Sequence, residues 1–223
     1  MKIIYSFFIL LFFSACKSDI PGNADNTLAN TTDKADTISR KLFNSCEACH
    51  GKNAEGNLAF NAPALANQDT WYLVKQLLNF KNGIRGTAVQ DSFGLTMSAI
   101  ARSLSDSLAM AGLVNYIKTL PPVVTEASVK GDVQEGLSHY QMICGACHGP
   151  GAEGIEELGA PKLTGINDWY LERQLLNFKN GIRGTHPDDK AGIQMKQMAN
   201  TLKDEKAVRD VVVYIQSLQQ KSL

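Results

Sequence analysis

Cys46-Glu47-Ala48-Cys49-His50 and Cys144-Gly145-Ala146-Cys147-His148 follow one pentapeptide pattern, present twice in the chain. Cys-x-x-Cys-His is the attachment signature of c-type haem. Two thiols separated by two residues lie within one turn of backbone, so both reach the vinyl groups of one porphyrin. The histidine that follows is then held under the iron as an axial ligand. The iron takes a sixth ligand, for which methionine is one option. A cysteine pair alone also suits a thiol redox centre or half of a zinc site. Against zinc, the pairs stand 98 residues apart (144 − 46), too far for a compact ribbon, and each carries its own histidine. Against thiol redox chemistry, neither pair is preceded by a strand or a β-α-β pattern.

The rest of the chain repeats with the same step. Trp71-Tyr72-Leu73-Val74-Lys75-Gln76-Leu77-Leu78 matches Trp169-Tyr170-Leu171-Glu172-Arg173-Gln174-Leu175-Leu176. Both continue with the nine residues Asn-Phe-Lys-Asn-Gly-Ile-Arg-Gly-Thr, at 79–87 and 177–185. The offset is again 98 (169 − 71), which predicts two complete folding units of equal length. Each reads as helical. An opening helix carries Leu42 and Phe43, or Leu137 and Tyr140, and a glycine-rich loop follows at 51–56 or 149–154. Leu73, Leu77 and Phe80 then share one helical face, with Gly83 or Gly181 as C-cap. A last helix runs from about Asp106 to Leu120 and from about Asp204 to Leu218. Alternation of period two is absent.

The fold class is therefore all-α. Two small helical bundles, at 34–120 and 130–223, each form around one covalent haem, and a linker at 121–129 opens on Pro121-Pro122. A unit of about 90 residues is small for a self-sufficient core, and a covalent haem supplies the missing apolar body.

At the N-terminus, Lys2 precedes an almost continuous apolar run from Ile3 to Phe13, too short for an ordinary membrane span and suited to a signal sequence. Ser14-Ala15-Cys16 follows. It resembles a bacterial lipoprotein lipobox, in which Cys16 is lipidated, although Phe13 stands where leucine is commoner. A plain signal peptide with an incidental cysteine is the alternative. Either way residues 1–16 export the chain to the periplasmic side, where c-type haem is attached. Residues 17–33 are polar, rich in Asn, Asp and Thr, and read as a flexible tether. Lys and Arg (22) balance Asp and Glu (22), so no charge excess points to nucleic acid.

The repeat also selects the sixth ligands. Downstream of His50 lie Met97 and Met110; downstream of His148 lie Met195 and Met198. Only Met97 and Met195 are related by the offset, because Met110 maps to Val208 and Met198 to Ile100. Two core methionines matched by common descent are the competing explanation, and Met198 stays as an alternative ligand in the second unit. Arg85 and Arg183 sit in matching Gly-Ile-Arg-Gly loops; they read either as partners of haem propionates or as solvated loop arginines. His139 and His186 read as surface residues.

With these residues in view, the chain resembles the tandem dihaem class I cytochromes c of the cytochrome c4 family, over residues 34–220. The resemblance rests on the two Cys-x-x-Cys-His motifs and on Ala-Pro-x-Leu at 62–65 and 160–163. To these add the Tyr-Leu-x-x-Gln-Leu segments, Met97 and Met195 ahead of Leu-Ser-Asp or Leu-Lys-Asp, and the terminal Tyr-Ile-x-x-Leu. It implies that the carbonyls of Pro63 and Pro161 accept hydrogen bonds from the axial histidines. It implies an electron carrier rather than an enzyme, with two covalent haem c groups and redox protein partners in a respiratory chain. The second copy is also similar to the cytochrome domain fused to some terminal oxidase second subunits. A fixed subunit of an oxidase or quinol-oxidising complex is one rival reading. A dihaem peroxidase or sulfur-compound oxidase is the other, and the matched methionines argue against its open iron site.

Overall fold

The computed structural model describes the backbone of residues 24–220 and the side chains of residues 37–219. Residues 1–16, read above as an export signal ending at Cys16, lie outside the described residues. The chain divides into two units, Met1–Lys34 and Ala35–Leu223. In the first, the stretch from Ala24 onward is helical, where composition predicts a flexible tether. No proline or glycine after Gly22 interrupts that helix, so it can propagate from its end at His50.

In the second unit, the first copy is built from the part of α1 (Ala24–His50) that follows Lys34, and from α2 (Thr70–Lys81), α3 (Ser92–Ser103) and α4 (Ser107–Thr119). The second copy has α5 (Val133–His139), a π-helical turn (Tyr140–Cys144), α6 (Gly145–His148), α7 (Asp168–Lys179), α8 (Lys190–Asn200) and α9 (Glu205–Gln220). Single 3-10 turns stand at Leu58–Phe60 and Glu156–Leu158. Among the described residues there is no β-strand, only two isolated bridges, Asn57 to Ala62 and Ile155 to Ala160. Aspartates start the helices as N-caps should: Asp106 accepts from the amide of Ala109, Asp91 from Gly94, and Asp189 from Gly192. Each copy has its own apolar core. Phe43, Leu104, Met110, Leu113 and Val114 centre the first, and Tyr140, Leu202, Val208, Val211 and Val212 the second. Met110 is thus a fully buried core residue.

The constant offset breaks upstream of the second motif. Phe43 packs on Tyr116 with ring centroids 5.4 Å apart, and Tyr140 packs on Tyr214 at 5.2 Å. Tyr116 and Tyr214 are 98 apart, but Phe43 and Tyr140 are 97 apart. The aromatic lies three residues before Cys46 and four before Cys144, and the π turn absorbs the extra residue. Ser39 therefore corresponds to Gly136, and the two copies build the same helix crossing with glycine on opposite partners. In the first, Gly112 of α4 faces Ser39; in the second, Gly136 of α5 faces the backbone of Asp210 in α9.

A Cβ at Gly136 would stand 1.9 Å from the Asp210 carbonyl oxygen, and neither backbone can yield. Gly136→Ala is expected to cost about 3 kcal/mol, at the upper end of overpacking effects. At Gly112 the nearest atom is the Ser39 hydroxyl at 2.9 Å, which can rotate away. Gly112→Ala is expected to be near neutral, since alanine is also the better helix former. Guanidinium unfolding of the two variants checks the contrast; equal losses would refute it.

The two copies meet through reciprocal hydrogen bonds. The Ala64 amide donates to Asn167 Oδ1 (2.6 Å), and the equivalent Lys162 amide donates to Asp69 Oδ2 (3.2 Å). Asn67 Nδ2 donates to the carbonyl of its own counterpart, Gly165, at 3.0 Å. The connecting segment is held on both sides. Val123 exchanges bonds with Asn67, while the amides of Ser128 and Val129 donate to the fully buried carboxylate of Asp168.

Candidate haem sites and the interface between them

Each axial-histidine candidate ends a helix and is turned by the loop that follows. The amides of Gly56 and Gly154 donate to the carbonyls of His50 and His148, folding the loop back over the ring. Both glycines have φ near +85°, and a Cβ there would lie 2.5 Å from the next amide after the proline. Only glycine lets the Ala-Pro segment come this close. The result is a bond of 2.8 Å from His50 Nδ1 to the Pro63 carbonyl, and another of 2.8 Å from His148 Nδ1 to that of Pro161. A carbonyl can only accept, so Nδ1 carries the proton and Nε2 keeps its lone pair. Burial holds both imidazoles below their ordinary pKa, with the proline bond opposing it. Neutral rings with Nε2 free are the form that binds a metal.

His148 Nε2 is buried without a hydrogen-bond partner. His148 lines a cavity with about 1250 Å³ of empty space, open mouth included. Cys144, Cys147, Met195, Met198 and Arg183 line the same cavity, with Pro161, Leu171 and Phe178 among its apolar wall. Two thiols, an unpartnered ring nitrogen and a thioether around one apolar space fit a covalent haem. They do not fit zinc: among the described residues no three His, Cys, Asp or Glu side chains gather to hold a metal ion. Nor do they fit an activated thiol pair. Burial pushes Cys46 up and pushes Cys144 to about 11, with the neighbouring thiol adding to the effect, whereas a redox thiol is activated by a lowered pKa. In the first copy Met97 lies half-buried on α3, the equivalent of α8.

Arg85 and Arg183 are not solvated loop residues; both are buried. The Gly-Ile-Arg-Gly loops are pinned by Ile84 and Arg85 amides donating to Asn79, and by the same pair of bonds to Asn177 in the second copy. From there the guanidiniums cross the interface. Arg85 donates to Gln76 Oε1 (2.6 Å) in its own copy and to Tyr170 OH (2.9 Å) and Gln174 Oε1 (2.8 Å) in the other. Arg183 mirrors it, donating to Gln174 Oε1 (2.9 Å), Tyr72 OH (3.1 Å) and Gln76 Oε1 (2.9 Å). The Nε of each remains buried and unpartnered. The sequence reading missed Tyr72, Gln76, Tyr170 and Gln174. The available signal was a glutamine, three residues after Leu73, inside the apolar helix face.

Cys-x-x-Cys-His helices, a proline carbonyl on the histidine and a surrounding helical shell define a class I c-type cytochrome unit, here doubled. The cytochrome c family model matches residues 38–121 and 133–219, and the chain belongs to that family. It is a dihaem electron-transfer protein of the cytochrome c4-like kind, with two covalent haem c groups, and a carrier rather than an enzyme. It is 32% identical over 184 residues to cytochrome c4 of Azotobacter vinelandii, covering 78% of this chain and 84% of that protein. It is 35% identical over 156 residues to the thiosulfate dehydrogenase electron acceptor of Thiomonas intermedia, covering 64% of this chain and 66% of that one. The cytochrome c4 structure from Acidithiobacillus ferrooxidans superposes with a TM-score of 0.63 at 26% identity, over 78% of this chain and 99% of that one.

Proposed function

We propose that the protein is an exported, lipid-anchored carrier that takes single electrons from a dehydrogenase and passes them to a terminal acceptor complex of a respiratory chain. The observation that carries this reading is the shared wall. The cavity around His148 is lined not only by its own copy but by Gln68, Tyr72, Lys75 and Gln76 of the first. Two haems held this way would share an interface within one body, which suits passage of electrons between them. The haem supplies the Fe(III)/Fe(II) couple; the chain supplies ligation, burial and orientation. His50 and Met97 would ligate one iron and His148 and Met195 the other, and such His/Met pairs would raise the potential. Pro63 and Pro161 fix the histidine rings and their tautomer. The unpartnered Nε of Arg85 and of Arg183 would be available to a propionate, whose charge would compensate guanidiniums hydrogen-bonded only to glutamine and tyrosine side chains.

Similarity to a thiosulfate dehydrogenase electron acceptor favours a sulfur-compound dehydrogenase as donor. The test mixes oxidised holoprotein with thiosulfate, with and without a thiosulfate dehydrogenase. Reduction of both haems only when the dehydrogenase is present is the expected result. Turnover of thiosulfate or hydrogen peroxide by the protein alone would overturn the carrier reading. The anchor is tested separately. Cys16→Ser is expected to move the protein from the membrane fraction to the soluble fraction with both haems retained, and no change in partition would refute lipidation at Cys16.

A further inference from the structure

Arg173 and Lys75 hold equivalent positions in α7 and α2 (173 − 75 = 98), and each reaches out of its own copy. Arg173 donates from Nη1 to Asn61 Oδ1 and from Nη2 to the Asn61 carbonyl, both at 2.9 Å. Its guanidinium lies 4.8 Å from the ring of Phe93, on the helix that carries Met97. Asn61 and Phe93 are first-copy residues. Their counterparts, Gly159 and Ala191, line the second cavity together with Lys75 and His148. Arg173 therefore stands against the first site where Lys75 stands against the second. Its Nε is buried and has no partner. Among the described residues, neither cation forms a close ion pair with a carboxylate, and the carboxylate influence on Arg173 comes from Asp91 of the first copy.

We propose that each copy supplies a positioning cation to the other copy's haem: Arg173 to the group held by Cys46 and Cys49, Lys75 to the group held by Cys144 and Cys147. This rests on the two-haem reading above. A fixed positive charge in a poorly screened site disfavours the oxidised iron, which is the more positive state, and so raises the potential of the haem it faces. The potential of each site is then set partly by a residue from the other half of the chain, and the interface becomes part of both redox centres. The unpartnered Nε of Arg173 and the ammonium of Lys75, which lies 6.0 Å from the Trp71 ring centroid and beside Gly159 of the other copy, are donors suited to a propionate.

The full-length holoprotein carries the test, with two haems per chain first counted by pyridine haemochrome absorbance. Met195→His lowers the second haem's potential and leaves the first to be read alone; Met97→His isolates the second. In these backgrounds Arg173→Gln is expected to shift the first haem's midpoint downward, and Arg173→Lys to restore most of it. Lys75→Gln is expected to shift the second haem's midpoint downward. Lys75 is half-buried, so that arm does not threaten the fold and carries the test alone if Arg173→Gln does not fold. Midpoints that stay in place, or an Arg173→Lys shift as large as that of Arg173→Gln, would overturn the trans-acting charge with both haems still bound. A purified chain without covalent haem would overturn the two-haem reading as well.

Discussion

Met97→Ala is expected to remove about half of the weak far-red absorption band that marks methionine-to-iron bonding in the oxidised protein, with a large fall in one of the two potentials. The argument is positional. Met97 and Met195 are the only methionines related by the repeat, and Met195 shares a cavity with the unpartnered Nε2 of His148. Thioether ligation favours the reduced iron, so its loss lowers the potential and opens a coordination position. The second copy differs in one respect. Met198 lies one turn beyond Met195 on α8 and lines the same cavity, whereas its counterpart is Ile100. Met195→Ala with Met198→Ala is therefore the clean partner experiment, and Met195→Ala alone shows whether the neighbour substitutes. A full band in Met97→Ala would remove Met97 from the iron.

Cys46→Ala combined with Cys49→Ala is expected to unfold the first copy. Its core without the porphyrin is one cluster, with Phe43, Leu73, Leu113 and Val114 among its buried members, and a unit of about 90 residues has little stability to spare. Apolar walls meant for a buried cofactor face water once it is absent, at a cost of roughly 25 cal/mol for each Å² of apolar surface exposed. Circular dichroism should lose the first copy's share of helix, and limited proteolysis should cut between residues 38 and 121 while the second copy keeps its haem. Undiminished helicity would show that the helices stand without the cofactor.

The helical class, the two attachment motifs and the final helices were legible because they depend on local pattern: capping aspartates, apolar faces and Cys-x-x-Cys-His. The proline carbonyls followed from family resemblance, and the bonds from His50 and His148 are present. Other features depend on meetings between distant parts of the chain. Arg85 and Arg183 left two readings open, since nothing local shows that Tyr170 or Tyr72 waits across an interface. The π turn was hidden for another reason. A one-residue shift in the aromatic before the motif breaks no hydrophobic period, and identical pentapeptides downstream make the offset look constant.

The near-twofold character of the interface has a consequence for assembly. Surfaces that recognise their own counterpart would also fit the same half of another molecule, so exchange between chains competes with closure within one. The segment at 121–129 settles the competition. A short tether holds its two ends at an effective concentration in the millimolar range, and its anchoring to Asn67 and Asp168 shortens the reach further. Lengthening that segment would lower this effective concentration and let halves exchange between chains.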